Sequence, residues 1–208
     1  MAKDQVTVDQ YALPNAKTLQ EARDLPLLDG DGNKTTFGAI TSPKDDTPRQ
    51  LVVFIRHFFC GHCEDYIRAL TKDLSPAILA SATPSTHLTI IGCGQPNVIK
   101  DYQTRTKCPY PIYCDPTTVL YDKLGMVVTL DLGPTKPEYL KSNILTGSVS
   151  SIMTIFKSGP KKGLSGGKFS QNGGEWIFND KGELIWCRRM SNTRDHSEMP
   201  ELVKVLGL

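Results

Sequence analysis

The chain has 208 residues, 39% of them hydrophobic and 22% charged, with 24 basic against 22 acidic side chains. That length suits one ordinary domain with an insertion. Normal apolar content and balanced charge exclude disorder, collagen-like repeats and coiled coils, and a net charge of +2 gives no electrostatic case for nucleic acid or a membrane surface.

The first residues, Met1-Ala2-Lys3-Asp4-Gln5-Val6-Thr7-Val8-Asp9, lack the apolar stretch of a secretory signal. The uncharged run between Lys141 and Lys157 is too short and too polar to cross a bilayer. A cytoplasmic protein with no membrane or nucleic-acid partner is expected, and its six cysteines are expected to be mostly reduced. Residues 1–24 read as an N-terminal extension with a short helix around Thr18 to Arg23. Residues 25–208 read as a single domain, with no internal repeat and with an insertion over about 126–174.

Leu25 to Phe37 predicts strand, Asp-Gly turn and strand. Leu51-Val52-Val53-Phe54-Ile55 is a continuous apolar run suited to a strand buried on both faces. After Cys60-Gly61-His62-Cys63, the spacing of Tyr66, Ile67, Leu70 and Leu74 predicts a helix, which Pro76 breaks and restarts. Leu88 to Cys93 is a second buried strand. Pro96 to Tyr102 predicts a short helix, Ile112-Tyr113-Cys114 a short strand, and Pro116 to Leu124 another helix. Residues 134–157 predict a longer helix, with Leu145, Val149, Ile152, Met153 and Phe156 on one face. A Gly- and Lys-rich loop follows. Trp176-Ile177-Phe178 and Leu184-Ile185-Trp186-Cys187 then form a hairpin around Asn179-Asp180-Lys181-Gly182, and a helix spans about Ser197 to Leu206. This order is α/β, in the layout of the thioredoxin fold with an added N-terminal hairpin and a helical insertion.

Cys60 and Cys63 fall where a buried strand gives way to an amphipathic helix. A helix N-terminus favours thiolate over thiol, and Arg56 and His57 just upstream add positive charge. Cys60 is then the exposed attacker and Cys63 the more buried resolving thiol. His57 and His62 flank the pair as proton donors or acceptors. Two readings compete. The pair could be half of a zinc site completed by Cys108, Cys114, His62 or His87, or two packed core thiols without chemistry. The position at a strand-to-helix junction, rather than on a knuckle turn, favours redox use. Cys93 and Cys187 read as core residues, and Cys108 and Cys114 flank the Pro109-Tyr110-Pro111 turn as a candidate regulatory disulfide. Lys157, Lys161, Lys162 and Lys168 read as a solvated basic loop, with an anionic substrate contact as the sharper option. Arg194-Asp195-His196 reads as a segment that folds over the site or caps the last helix.

The chain resembles the peroxiredoxin-like branch of the thioredoxin superfamily, the AhpC/TSA antioxidant-enzyme-domain proteins. The resemblance rests on Val52 to Arg56 followed by Cys60-Gly61-His62-Cys63, on Cys114-Asp115-Pro116 with Leu120 to Gly125, on Gln171 to Phe178, and on Gly182 to Trp186. It implies a thioredoxin-like fold and antioxidant or thiol-redox chemistry. The pattern departs from the family at two places: His57 stands where peroxiredoxins carry Thr or Ser, and Gly173-Gly174 stands where thioredoxins carry a cis-proline. By position, Arg188 or Arg189 replaces the later-strand arginine of peroxiredoxins. The expected site is therefore Cys60, Cys63, Arg56, His57 and His62, with Arg188, Gly174 and Trp176 contacting substrate and no metal or cofactor. The expected activity is thiol-dependent reduction of a peroxide or disulfide, with thioredoxin or glutathione as electron donor and a homodimer as the candidate assembly. The alternatives are the same fold repurposed for a small-molecule transformation and a redox-switched binding module.

Overall fold

The computed structural model describes residues 9–43, 48–140 and 164–208. Its centre is a seven-stranded sheet. The strands in chain order are β1 (Pro26–Leu28), β2 (Lys34–Thr36), β3 (Arg49–Phe54), β4 (Thr86–Gly92), β5 (Ile112–Cys114), β6 (Gly174–Phe178) and β7 (Leu184–Arg189). Across the sheet they run β2-β1-β5-β4-β3-β6-β7. The β3–β4 and β4–β5 pairs are parallel, and the β1–β2, β1–β5, β3–β6 and β6–β7 pairs are antiparallel.

Every residue of β3 is buried because both faces of the sheet are covered. Leu51, Val53 and Ile55 point into one core, shared with α3 (Gly61–Asp73), α5 (Ile99–Thr106) and α7 (Met199–Leu206). Val52 and Phe54 point into the other, with α1 (Ala16–Arg23), α2 (Phe37–Thr41) and α6 (Val119–Lys123). The strand period of two decides which face of the sheet each residue serves.

Local signals set the helix boundaries. Asn15 caps α1 through its side-chain oxygen and the Thr18 N–H (2.9 Å). α3 stops at Asp73 because Ser75 precedes a proline. Ser75 then caps α4 (Pro76–Ser81). Gly207, at φ +69°, closes α7, and Arg49 Nη2 donates to the Leu206 carbonyl (2.8 Å) at that negative helix end.

Some elements differ from expectation. Phe37–Thr41 is a helix, with Thr36 as its cap (Ala39 N to Thr36 Oγ1, 3.2 Å), rather than the end of a strand. Residues 134–140 hold only bends and a turn, where Pro134 and Pro137 leave no uninterrupted helical run. The remainder of that predicted helix, and Lys157, Lys161 and Lys162, lie outside the described residues. The segment 126–133 pairs with the chain near Gln171 instead (Val128–Gln171 bridge). The open edge of β7 is covered by the N-terminal strap, where Arg189 N donates to the Gln10 carbonyl (2.9 Å). Among the described residues, no helix is long and apolar enough to cross a membrane.

Candidate active site

β3 delivers the chain through Ile55 to Arg56, His57, Phe58 and Phe59, and Cys60 is the N-cap of α3. Helix N-termini leave backbone N–H groups without partners, and here the capping acceptor is sulfur: Cys63 N donates to Cys60 Sγ (3.3 Å). Arg56 Nη1 donates to the same atom (3.4 Å). Its Nη2 donates to the Phe169 carbonyl, so one guanidinium joins the thiol to the segment before β6.

Cys60 is not the exposed thiol expected from the sequence: it is 3% exposed, because Phe58, Phe59 and the segment before β6 close over the start of α3, and burial alone would raise its pKa. The hydrogen bond with the Cys63 thiol, the Arg56 charge and the Cys63 N–H outweigh burial and hold Cys60 well below an ordinary thiol. Cys63, fully buried, moves the opposite way, pushed well up by burial and then by its bond to Cys60. The two neighbouring thiols are thus shifted in opposite directions, Cys60 toward the thiolate and Cys63 toward the thiol. The other four thiols are all raised by burial: Cys93 and Cys114 to about 12, Cys108 to about 11, and Cys187 upward. Of the six thiols, Cys60 alone is shifted toward the thiolate.

His57 is 3% exposed and packs edge-on against Phe169 (4.5 Å between centroids). Burial pushes its pKa down to about 4, so the ring is neutral at pH 7 and the cation facing Cys60 is Arg56. His57 Nδ1 has no hydrogen-bond partner. His62, also buried and lowered by burial, lies in the fields of Cys60, Arg56 and Arg194. Cys60, Cys63, Arg56, His57 and His62 thus gather at one end of α3.

The other candidates sit elsewhere. Val53 pairs with Glu175, so Glu175 and its cross-strand partner Arg188 face the α3 side of the sheet. Trp176 pairs with Val52 and points to the opposite core, against Phe54 and beneath the Arg189 guanidinium (5.0 Å). Arg188 is bound to Asp195 (2.6 Å) and Glu201 (3.6 Å), and its Nε donates to the Tyr11 hydroxyl (3.2 Å). It is spent on the 191–196 loop, α7 and the N-terminal strap. Gly173 and Gly174 make close backbone approaches: a Cβ at Gly173 would lie 1.7 Å from the Phe54 carbonyl oxygen, and one at Gly174 2.2 Å from that of Arg188. No side chain fits at either position, a proline ring included.

Among the described residues, no group of three His, Cys, Asp or Glu is arranged to hold a metal. Cys108 and Cys114 are both free thiols. Two supporting groups carry no motif. Arg105 Nη2 donates to the Phe58 carbonyl (2.8 Å) and pairs with Glu64 (3.2 Å), bracing the turn before Cys60. Glu175 is wholly buried beside His196.

A thiol pair at a strand-to-helix junction of this sheet defines a protein of thioredoxin-like fold. The solved structures agree on the fold. A peroxiredoxin-like protein from Aquifex aeolicus superposes with TM-score 0.55, at 10% identity, over 88% of this chain and 82% of its own. The Xanthomonas campestris bacterioferritin comigratory protein, studied for alkyl peroxide reduction, superposes with TM-score 0.51, at 10% identity, over 94% and 95%. The family model for AhpC/TSA antioxidant enzymes matches residues 69–192, just downstream of the thiol pair. Peroxiredoxin-like 2C of Mus musculus is 30% identical over 203 residues, 97% of this chain and 84% of that protein. Its Homo sapiens counterpart is 29% identical over 188 residues, 89% and 78%. The chain belongs to the AhpC/TSA antioxidant-enzyme family, on its peroxiredoxin-like branch.

Proposed function

We propose that the protein is a thiol-dependent oxidoreductase in which Cys60 attacks a peroxide or disulfide and Cys63 resolves the product. The observation that carries this reading is the geometry at the start of α3, where Cys60 Sγ accepts from Cys63 N (3.3 Å) and from Arg56 Nη1 (3.4 Å) with the Cys63 thiol one turn behind it; the opposite shifts of the two thiols, Cys60 down and Cys63 up, agree with it. A reaction in two thiol steps needs one ready nucleophile and one held in reserve. In the peroxide reaction the Cys60 thiolate attacks one peroxide oxygen, the O–O bond breaks, and Cys60 becomes a sulfenic acid. The departing oxygen takes a proton and leaves as water or alcohol. Cys63 then attacks the Cys60 sulfenic acid, whose S–O bond breaks and whose hydroxyl leaves as water, to form the Cys60–Cys63 disulfide, and thioredoxin- or glutathione-type thiols reduce it back to the pair.

Arg56 holds the thiolate and offers the departing oxygen a positive charge. His57 is uncharged and fills the place where a hydroxyl residue would bind peroxide, so peroxide positioning falls to Arg56 and the backbone at the start of α3. The test is stoichiometric. One equivalent of peroxide added to the reduced protein is expected to consume two thiols and give a Cys60–Cys63 disulfide, identified by peptide mass spectrometry. The Cys60→Ser variant is expected to leave peroxide untouched. Peroxide consumption at the wild-type rate by Cys60→Ser would sink the reading.

A further inference from the structure

A thiol outside the Cys60–Cys63 pair reaches the site from behind, and the steps above do not use it. Cys93 directly follows β4 and is buried. Its Sγ lies 2.8 Å from the Arg56 carbonyl oxygen. A carbonyl can only accept, so the thiol donates. Burial pushes the Cys93 pKa up to about 12, and the proton stays on sulfur at neutral pH. The thiol is also tightly seated. A Cβ at Gly167 would lie 2.7 Å from Cys93 Sγ, and the Lys168 carbonyl stands 3.8 Å away on the same side.

Arg56 stands where such an anchor matters. The sheet holds the chain as far as Ile55, whose N–H donates to the Ile91 carbonyl (2.8 Å). Beyond that bond the strand has ended, and Arg56 turns toward Cys60. Arg56 is itself buried, and a buried carbonyl left without a donor is costly. The donor it finds is the Cys93 thiol. At the far end of the same residue, Nη1 donates to Cys60 Sγ (3.4 Å) and Nη2 to the Phe169 carbonyl. Attraction between a guanidinium and a thiolate falls with distance, so the placing of the Arg56 backbone decides how firmly its charge rests on Cys60. Packing alone calls for no donor at position 93; the Arg56 carbonyl does.

We propose that Cys93 is a positioning residue: its thiol, by holding the Arg56 carbonyl, keeps the Arg56 guanidinium on Cys60 Sγ. This assignment rests on the reading of Cys60 as the attacking thiol. The groups facing Cys60 are Arg56 and His57 from the turn after β3, His62 and Cys63 from the first turn of α3, and Tyr102 from α5. Burial lowers both histidines and raises Cys63 and Tyr102, so all four are uncharged near pH 7. Arg56 is then the cation facing Cys60, and what moves Arg56 moves the pH at which Cys60 ionises.

The test is the pH profile of Cys60 alkylation by iodoacetamide in the reduced full-length protein, with the site read by mass spectrometry. Cys93→Ala is expected to move the profile to higher pH. Below the wild-type Cys60 pKa it should slow labelling about threefold, part of the loss expected when the Arg56 charge is removed. Cys93→Ser puts a donor back and is expected to restore the wild-type profile. In an Arg56→Met background, Cys93→Ala is expected to shift nothing further, because both changes act through one contact. A wild-type profile for Cys93→Ala overturns the assignment. So does a serine variant displaced as far as the alanine variant, or an undiminished shift in the Arg56→Met background. Infrared spectroscopy covers the case of a Cys93→Ala chain that does not fold. The difference between wild type and Cys93→Ser is expected to show an S–H stretch lowered by hydrogen bonding, and a band at the free-thiol frequency overturns the assignment. Alkylation needs neither peroxide nor disulfide, so a protein inert to both removes the oxidoreductase reading while the variants still decide the role of Cys93. Wild-type Cys60 labelled as an ordinary thiol, with no dependence on Arg56, removes the activated nucleophile, and the proposal falls with it.

Discussion

Replacing Arg56 with Met is expected to raise the Cys60 pKa and slow its reaction at slightly acid pH. The guanidinium stands 3.4 Å from Sγ, and both residues are buried. An opposite charge at such range lowers a pKa by roughly one to three, so its loss cuts the thiolate fraction about 10- to 1,000-fold at pH values below the wild-type pKa. A more basic thiolate is a better nucleophile, which returns about half of that loss on a logarithmic scale. The net expectation is alkylation of Cys60 slowed by about 3- to 30-fold at pH values below the wild-type Cys60 pKa, with the order reversing at high pH, where both thiols are ionised and the more basic thiolate reacts faster. The sign follows from the charge: Arg56 favours the anion, so its removal matters where the anion is not otherwise formed. Rates of iodoacetamide labelling, with the site read by mass spectrometry, check it. Met preserves most of the aliphatic stem, so a change in stability alone would slow or speed labelling at all pH values rather than shift the profile.

Gly173→Ala is expected to be the most damaging small substitution near the site. The added methyl would lie 1.7 Å from the Phe54 carbonyl oxygen and 2.6 Å from its carbon. Both atoms belong to the central strand β3, paired on both sides, so neither can move without opening the sheet. Overpacking that a core can absorb costs about 1–3 kcal/mol; backbone against backbone has no side chain to yield, so a loss of about 4 kcal/mol or more is expected. Urea unfolding measures it, and a midpoint equal to wild type would show that this crossing is looser than the structure has it. The same crossing accounts for the absence of proline here. The chain before β6 abuts β3 at the point where it turns toward Arg56 and the thiols, and glycine alone fits.

Much of this arrangement could be read from the sequence, for identifiable reasons. A run such as Leu51 to Ile55 is apolar at every position because both faces of its strand are covered. The cysteines announce themselves because they sit at the break between that run and a 3.6-periodic helix. What stayed hidden depended on partners remote in the chain. The face taken by β6 is fixed by its register with β3, so Trp176, though large and next to the glycines, turns away from the thiols while Glu175 turns toward them. Arg188 was a reasonable substrate contact by position, yet Tyr11, Asp195 and Glu201 claim it from three separate segments. The helix Phe37–Thr41 is only five residues long and follows two threonines that favour strand, so its cap could not be told from strand continuation. Arg105 reaches the Phe58 carbonyl from α5, a contact that no local spacing encodes.

The central claim is that Cys60 alone is held as a thiolate by Arg56 and the first turn of α3. The most direct measurement is the alkylation rate of each cysteine in the reduced wild-type protein as a function of pH. Cys60 is expected to be labelled first, with a rate that levels off at a lower pH than that of an ordinary thiol. Labelling of Cys63, Cys93, Cys108, Cys114 and Cys187 should stay slow until the fold opens. A Cys60 rate that climbs through about pH 8.5 as a free thiol does, or preferential labelling of Cys63, would contradict it.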